Sequence, residues 1–514
     1  MEKLNESYGM QQVTIDTENT ETKHKQNLRS TSAQLLATLA QNWLLLDIGL
    51  TFGVPPLVLG ALHLNTGSGL SLNSSETSWL GSLPSICHLI GSLASGLFQE
   101  QFGRKGSMVL VNIPFFCSWL LLYHAESVLA LYIAFITMGL CAGFCEAPLH
   151  SYCGEIAEPR LRGALSTLCV AATILGAVFM YLLGYFFEWR MAALISSSVP
   201  VITFLLTTQI PESPTFLLMR GKTEEARKAL CWLRGWADPD EVKEEFQALI
   251  NYTKQRVASL ESSGGNKNAS LKFKKPNDLK AQLSELTSDR ILIPFRLEFF
   301  VTLNAGITSF VGFQPYQIIV YKELGYPNLG KEILIAGAVL VFLSSMGSLF
   351  FIRRFGKRKI ALFSFGLSTM SILALGTYSS FRDDLLWIPG LYWAPLALIL
   401  LMRFTLGFSI MPLPFQLLSE IFPPVGRGTA SGISTAWAYL LTFSLTKTFL
   451  VMVAWLNLGN VFYLYGTCGV LGWVYFYFSL PETEGKSLEQ IESYFTKNHD
   501  RKEKFSVGKS GHLK

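Results

Sequence analysis

The chain has 514 residues, half of them hydrophobic and only 15% charged, with mean hydropathy +0.34 and formal net charge +5. A soluble domain carries about 25% charged residues, whereas here the apolar excess falls in stretches of roughly 20 residues, the length that crosses a bilayer core. That excludes a large soluble core, and a basic excess confined to short loops beside the spans gives no sign of nucleic-acid binding.

Residues 1–32 are polar, mixed in charge and without helical or strand period, and read as a flexible tail. No cleavable signal peptide is read ahead of the first apolar stretch, which would itself direct insertion. Spans are expected near 33–62, 77–98, 107–123, 127–151, 163–187 and 190–210, then near 291–320, 332–352, 360–378, 387–418, 428–453 and 458–480. The expected fold is an all-α membrane protein of twelve transmembrane helices in two pseudo-symmetric six-helix bundles, 33–210 and 291–480, with a C-terminal tail over 481–514. Between the bundles, 211–290 is a polar linker. Glu224, Glu225, Arg227 and Lys228 beside Leu230 and Leu233 suggest an amphipathic helix, and so do Val242, Phe246 and Leu249. The stretch 262–275, with Gly264-Gly265, reads as a flexible tether.

Orientation follows from Lys and Arg. With the N-terminus in the cytosol, the cytosolic loops hold Arg104, Lys105, Arg160, Arg162, Arg353, Arg354, Lys357, Arg358, Lys359 and Arg427. The opposite loops hold Arg190, Lys322, Lys331 and Arg382, so both termini are expected inside. The sequon Asn73-Ser74-Ser75 then lies outside, where it can be glycosylated, while those at Asn5, Asn251 and Asn268 lie inside.

Three signals occur twice, in the same order. Phe102-Gly103-Arg104-Lys105 returns as Phe355-Gly356-Lys357-Arg358. Glu155 to Arg162-Gly163 returns as Glu420 to Arg427-Gly428, and Pro211-Glu212-Ser213 as Pro481-Glu482-Thr483. Three echoes in register mean two copies of one structural unit. The eight cysteines show no metal-ligand spacing; Cys141 and Cys145 share a helix face as small buried hydrophobes. No metal or cofactor is expected, and there is no Gly-x-x-x-x-Gly-Lys-[Ser/Thr] motif for ATP.

From about 40 to 495 these residues resemble the sugar porter family of the major facilitator superfamily, and within it the insect facilitated trehalose transporters. The resemblance is carried by Tyr152-Cys-Gly-Glu155, Pro159-x-x-Arg162-Gly163, Pro211-Glu-Ser-Pro214, Arg227-Lys-Ala-Leu-x-Trp-Leu-Arg234-Gly235, Pro412-Leu-Pro414-Phe415, Thr446-Lys-Thr-Phe449 and Pro481-Glu-Thr-Glu-Gly-Lys-Ser-Leu-Glu-Gln-Ile-Glu492. It implies two bundles around a central cavity in the cell membrane, a small sugar as ligand, and no obligate protein partner. It also implies a cytosolic gate of Arg104, Glu155 and Arg162 in the first half and Arg354, Glu420 and Arg427 in the second, closing the inner side when the cavity faces out; static anchoring is the alternative.

A sugar needs amides and hydroxyls to replace its water and an aromatic face to stack on. The family's fifth-helix Gln falls on Val170, its seventh-helix Gln pair on Thr302 and Leu303, its Asn on Thr308, and its tenth-helix Trp on Phe415. The remaining candidates for substrate are Asn304, Thr308, Gln314, Gln317, Thr173, Phe415 and Trp437. Gln314 and Gln317 flank Pro315, so they either touch substrate or cap a broken helix. Ionisable groups inside spans are costly and face a cavity or a partner. They are Asp47, Glu146, His150 and Arg403, read either as a buried ion pair of Arg403 with Asp47 or Glu146, or as a proton-coupling set. Asp47 lies two positions before the Asp of proton-coupled sugar porters, on a different face. Three functions remain: a sugar transporter, by facilitated diffusion or proton coupling; a sugar sensor without flux, disfavoured by the short tail after Glu492; and a membrane enzyme, for which only Glu146 and His150 offer part of a site.

Overall fold

The computed structural model describes residues 2–65, 69–158, 160–262, 289–382, 390–422, 427–486, 490–491 and 494–495, with the side chains of 2–26, 97, 255–262, 289–291, 349, 419 and 427–429 left aside. Among the described residues, nine stretches of helix are long and apolar enough to cross a membrane. The break at Asn457 divides the last of them in two, and the helix from Ser74 to Gly103 and the broken helix over 289–323 bring the spans to twelve. The first is Asn27–Leu62, the apolar part of the helix Glu2–Leu62. Where the sequence reading has a flexible tail, this helix is continuous, because residues 2–32 contain no proline and only Gly9 to interrupt it. The helix Ser74–Tyr123 turns at Gly103 (φ 84°, ψ −179°) into the second and third spans. The fourth is Val128–Ile156, the fifth Arg162–Phe186, and the sixth Trp189–Ser196 with Ser198–Gln209. Linker helices Pro214–Met219, Thr223–Leu233 and Lys243–Ser262 follow.

The seventh span is broken into Asp289–Thr308, a 3-10 turn Val311–Tyr316, and Gln317–Glu323. The break carries Phe310 at φ 57°, a conformation a bulky residue holds only when its surroundings enforce it. Here the rings of Phe313, Phe449, Phe462 and Tyr465 lie 4.6–5.7 Å from that of Phe310. The eighth and ninth spans are Gly330–Phe355 and Lys357–Ser380, parted by Gly356 at φ 85°. The tenth combines Leu391–Trp393, Ala394–Thr405, a π-turn Leu406–Ile410 and Pro412–Glu420. The helix Arg427–Ser479, broken at Asn457 (φ 65°, ψ 157°), supplies the last two.

Three apolar clusters show how the halves meet. One holds the first half from Ala37 to Leu233 and another the second from Leu297 to Phe495. Both lie at the end of the molecule nearest the linker helices. The third draws on both halves, joining Leu57, Val58 and Met138 to Tyr316, Ile318 and Phe449, and lies at the far end. Glycines let spans touch by backbone within a half, where lipid gives no hydrophobic drive to pair. An added Cβ on Gly49 would strike the Thr173 carbonyl, and one on Gly176 the Leu46 carbonyl, so spans one and five cross glycine on glycine. The same holds between spans two and four, where Gly91 meets Leu140 and Gly143 meets the His88 carbonyl.

The linker docks on the first half through Glu158. Its carboxylate accepts from Ser30 and from Gln34 Nε2 (2.8 Å) on span one, pairs with Arg160, and lies 3.6 Å from Arg234 of the linker. Arg234 also pairs with Glu245. Burial alone raises the Glu158 carboxyl, but the Ser30 and Arg160 hydrogen bonds and the charges of Arg234 and Arg160 outweigh it and hold it below the usual range.

Two outcomes are expected. Gly176→Leu lowers the melting temperature in detergent, at a cost of about 1–3 kcal/mol for overpacking, while Gly96→Ala, where an added Cβ meets nothing within 4 Å, leaves it unchanged. Because the Glu158 carboxyl is depressed in the folded state, its stabilisation is present above the ordinary Glu range and fades as pH falls through the folded value. Glu158→Gln therefore loses stability at neutral pH and flattens the acid limb of a melting-temperature profile.

Candidate functional site

At the linker end the three repeated signals converge, once in each half. Gly103 ends span two with positive φ, and the Arg104 and Lys105 N–H groups that open span three both donate to the Glu212 carboxylate (3.1 Å). A side chain on Gly103 would collide with Glu212, so this glycine is required for both its angle and its space. In the second half the Lys357 and Arg358 N–H groups donate to Glu482 (3.0 and 3.1 Å). Each carboxylate lies at a helix N-terminus, where free N–H groups and the helix dipole favour negative charge.

A second acid completes each cluster. Arg104 binds Glu155 through Nε (3.1 Å) and Nη2 (2.8 Å), and Ser213 also donates to Glu155. Glu420, the repeat of Glu155, pairs with Lys357, which also reaches Glu484 at 3.3 Å. Lys357 thus takes the part that the sequence reading gave Arg354. Arg354 is exposed and packs over Phe355 (5.8 Å), because Gly356 turns the chain between Arg354 and Lys357. Arg162 is exposed at the start of span five, and the side chain of Arg427 lies outside the described residues. The pairs Arg104–Glu155 and Lys357–Glu420 each stay within one half.

Hydrogen bonds between the halves lie toward the far end. Ser78 donates to the Lys447 carbonyl (2.8 Å), Tyr316 to the carbonyl of Ser78 (3.3 Å), and Lys322 to that of Gly60 (3.1 Å), while within the second half Tyr316 also lies 3.1 Å from the Thr446 carbonyl. Lys447 also sits 3.8 Å over the Trp79 ring. Deeper in the seam, Tyr439 of span eleven donates to Glu146 of span four (2.7 Å). His88 Nε2 hydrogen-bonds the same carboxylate oxygen (3.0 Å) and its ring stacks on Tyr439 at 4.2 Å. Neither His88 nor Tyr439 was assigned to this site from sequence; the signal was a histidine inside a span, and for Tyr439 there was none.

The other intramembrane ions find partners that the sequence did not pair. Arg403 donates to Gln317 and lies 5.4 Å over Phe313, rather than meeting Asp47 or Glu146. Asp47 is fully buried and accepts the Trp119 indole N–H (2.8 Å), and His150 is exposed. The reason is geometric: the broken seventh span brings Gln317 to Arg403, while Asp47 is enclosed within the first half beside Trp119. Gln317 Nε2 donates to the Gln314 carbonyl (2.7 Å) and its Oε1 accepts from Tyr321 (3.1 Å), so this amide caps the broken helix. Gln314 itself is exposed.

Asn304 and Thr308 are buried against the twelfth span, where Gly472 and Gly469 make room for them. Thr173 is half-buried, with its carbonyl against Gly49. Trp437 stacks on Phe299 at 4.1 Å. Its indole N–H, the Asn304 amide and one oxygen of the buried Glu298 are without hydrogen-bond partners among the described residues. Phe415, above the linker end of span ten, is 51% exposed. Asn73 caps span two, its Oδ1 accepting from Glu76 N–H (2.8 Å), and is itself exposed.

Known proteins resemble this chain in sequence and in fold. A facilitated trehalose transporter, Tret1, of Polypedilum vanderplanki is 29% identical over 89% of this chain and 87% of its own. Its namesake in Apis mellifera ligustica is 28% identical over 90% and 88%. The inward open conformation of the xylose transporter XylE from E. coli superposes with a TM-score of 0.68, at 20% identity over 90% of this chain and 99% of that one, which establishes the twelve-helix major facilitator fold. Residues 10–495 match the family described as Sugar (and other) transporter, and the chain belongs to that family.

Proposed function

We propose that this chain carries trehalose or a hexose across the cell membrane by alternating access and facilitated diffusion, with the linker end and both termini in the cytosol. The observation that carries the reading is the asymmetry of the seam. A shared apolar cluster and the Ser78, Tyr316 and Lys322 bonds join the halves at the far end, while at the linker end each half keeps its own cluster and ion pairs. A seam joined at the far end and free at the linker end supports a central cavity that opens toward the linker helices. The Arg and Lys residues of the linker end support the orientation, and the exposed Asn73 at the far end is then the outward sequon.

The cytosolic gate of this reading is two charge clusters, Arg104–Glu155–Ser213 and Lys357–Glu420–Glu484, that fix the helix ends of each half so that the halves rock as rigid bodies. Phe415 and Trp437, whose indole N–H has no partner among the described residues, remain the groups that offer a sugar stacking and a hydrogen bond. The Glu146–Tyr439 bond ties the halves in the state described. One observation favours proton-coupled transport as a second reading: a His88–Glu146 pair in the seam that the transport motion must open.

Two experiments test this. In vesicles, labelled trehalose and glucose enter with saturation and at the same rate with and without a proton gradient; gradient-driven accumulation establishes the second reading, and saturable binding without entry a sensor. Tyr439→Phe removes a hydrogen bond to a charged group, enlarges the outward-facing fraction and lowers the outer KM by up to about tenfold. An unchanged KM with unchanged flux removes that tie from the cycle.

A further inference from the structure

The second half contains a crevice of about 690 Å³ between spans eight and nine, floored by span ten. That volume falls within the ~300–1,000 Å³ of small-molecule sites. Its formation follows from local structure. The π-turn in span ten sets Phe404 and Phe408 in a stack at 5.1 Å, and Phe351 meets Phe408 edge-on at 5.6 Å. The rings satisfy one another along the floor and leave the space above them empty. Gly347 lines that space, and an added Cβ there would meet nothing within 4 Å.

The crevice opens on the surface that the bilayer covers. Phe350, Leu343 and Phe363 around it are 77%, 59% and 55% exposed, surfaces that water does not stabilise. Its linker-end mouth is cationic. Lys359 lines the crevice and is exposed, as are Arg353 and Arg354. The nearby acids Glu420 and Glu484 are already engaged by Lys357. The first half lacks this combination. Counting from the paired turn glycines Gly103 and Gly356, the repeat of Gly347 is Ala94 and that of Lys359 is Gly106. A feature serving only the shared fold would be present in both copies.

We propose that this crevice binds one anionic phospholipid of the leaflet at the linker end, an acyl chain over the Phe404–Phe408 stack and the phosphate on Lys359. A hydrocarbon tail matches the dry aromatic walls, and a headgroup of net negative charge matches the cation at their end. The site is separate from the seam between the halves and does not depend on which solute is carried.

The test uses the full chain in phosphatidylcholine vesicles doped with phosphatidylserine or phosphatidylcholine bearing a photoactivatable acyl chain, with crosslinked peptides mapped. Phosphatidylserine is expected to label the peptides around Phe351–Phe363 and Phe404–Phe408 in preference to phosphatidylcholine. Lys359→Gln lowers that labelling roughly fivefold and leaves phosphatidylcholine labelling unchanged. Gly347→Phe fills the crevice and lowers both. Sugar entry in pure phosphatidylcholine vesicles, retained by Lys359→Gln, shows that the variant is folded. Equal labelling by the two lipids, or phosphatidylserine labelling untouched by Lys359→Gln, overturns the proposal.

Discussion

Hydrocarbon offers no partner to a charge or to a free N–H, and that single constraint sorts the polar residues of this protein. The carboxylates of Glu212 and Glu482 lie where helices begin, against N–H groups that have no partner within their own helix. The turn that presents those groups needs a glycine at positive φ, which is why Phe-Gly precedes the basic pair in both halves. Each motif is therefore half of a contact whose other half is about 110–125 residues away. The same constraint explains the interior: Asp47 takes an indole N–H, Arg403 an amide oxygen and an aromatic face, and Glu146 a phenol and an imidazole.

Rigid helix ends and a soft seam are two consequences of this sorting. Where charge is bound within a half, as at Arg104–Glu155 and Lys357–Glu420, it stiffens that half and leaves the other free to move. Where hydrogen bonds pass between halves, they are few and mostly use neutral hydroxyl donors, as at Ser78, Tyr316 and Tyr439. Neutral hydrogen bonds contribute about 0.5–1.5 kcal/mol each net, and those with one charged partner, as at Glu146 and Lys322, about 1.5–3 kcal/mol, so such ties bias a state without fixing it. A buried ion pair in their place would cost several kcal/mol to break. The exchange of states that transport requires is compatible with the first kind of tie and resisted by the second.

The sequence showed the duplication, the twelve spans and the family, because each rests on length, local breakers and repeated turns. Arg104, Glu155 and Glu420, legible in the sequence as charged residues at helix ends, are found in ion pairs there, since such residues have few places to go. The sequence did not show partners that depend on the rotation of a helix about its axis. Asn304 and Thr308 turn to the twelfth span because the seventh breaks after them at Ser309–Phe310, a change of phase that no periodicity reports. Arg354 lost its assigned role to Lys357 because one glycine between them reverses the direction of the chain. Tyr439 was invisible for another reason: in an apolar run a tyrosine reads as packing, and only the approach of Glu146 from the other half gives its hydroxyl a meaning.

The departures from repeat symmetry follow the same logic. Duplication makes two equal halves, but a seam that closes at one end needs unlike surfaces to face each other. The His88–Glu146–Tyr439 contact has members from both halves and no duplicate among the described hydrogen bonds. The broken seventh span, with Phe310 at positive φ inside a cage of rings, likewise contrasts with the unbroken first span in the other half. Strain of that kind persists only where packing over-determines it. Its location beside Tyr316, whose hydroxyl reaches the first half, puts a broken stretch of backbone next to a contact that transport must break. A regular helix there would hold its place along its whole length, whereas a span already divided can let its far-end piece move with the seam while the linker-end piece stays with its bundle.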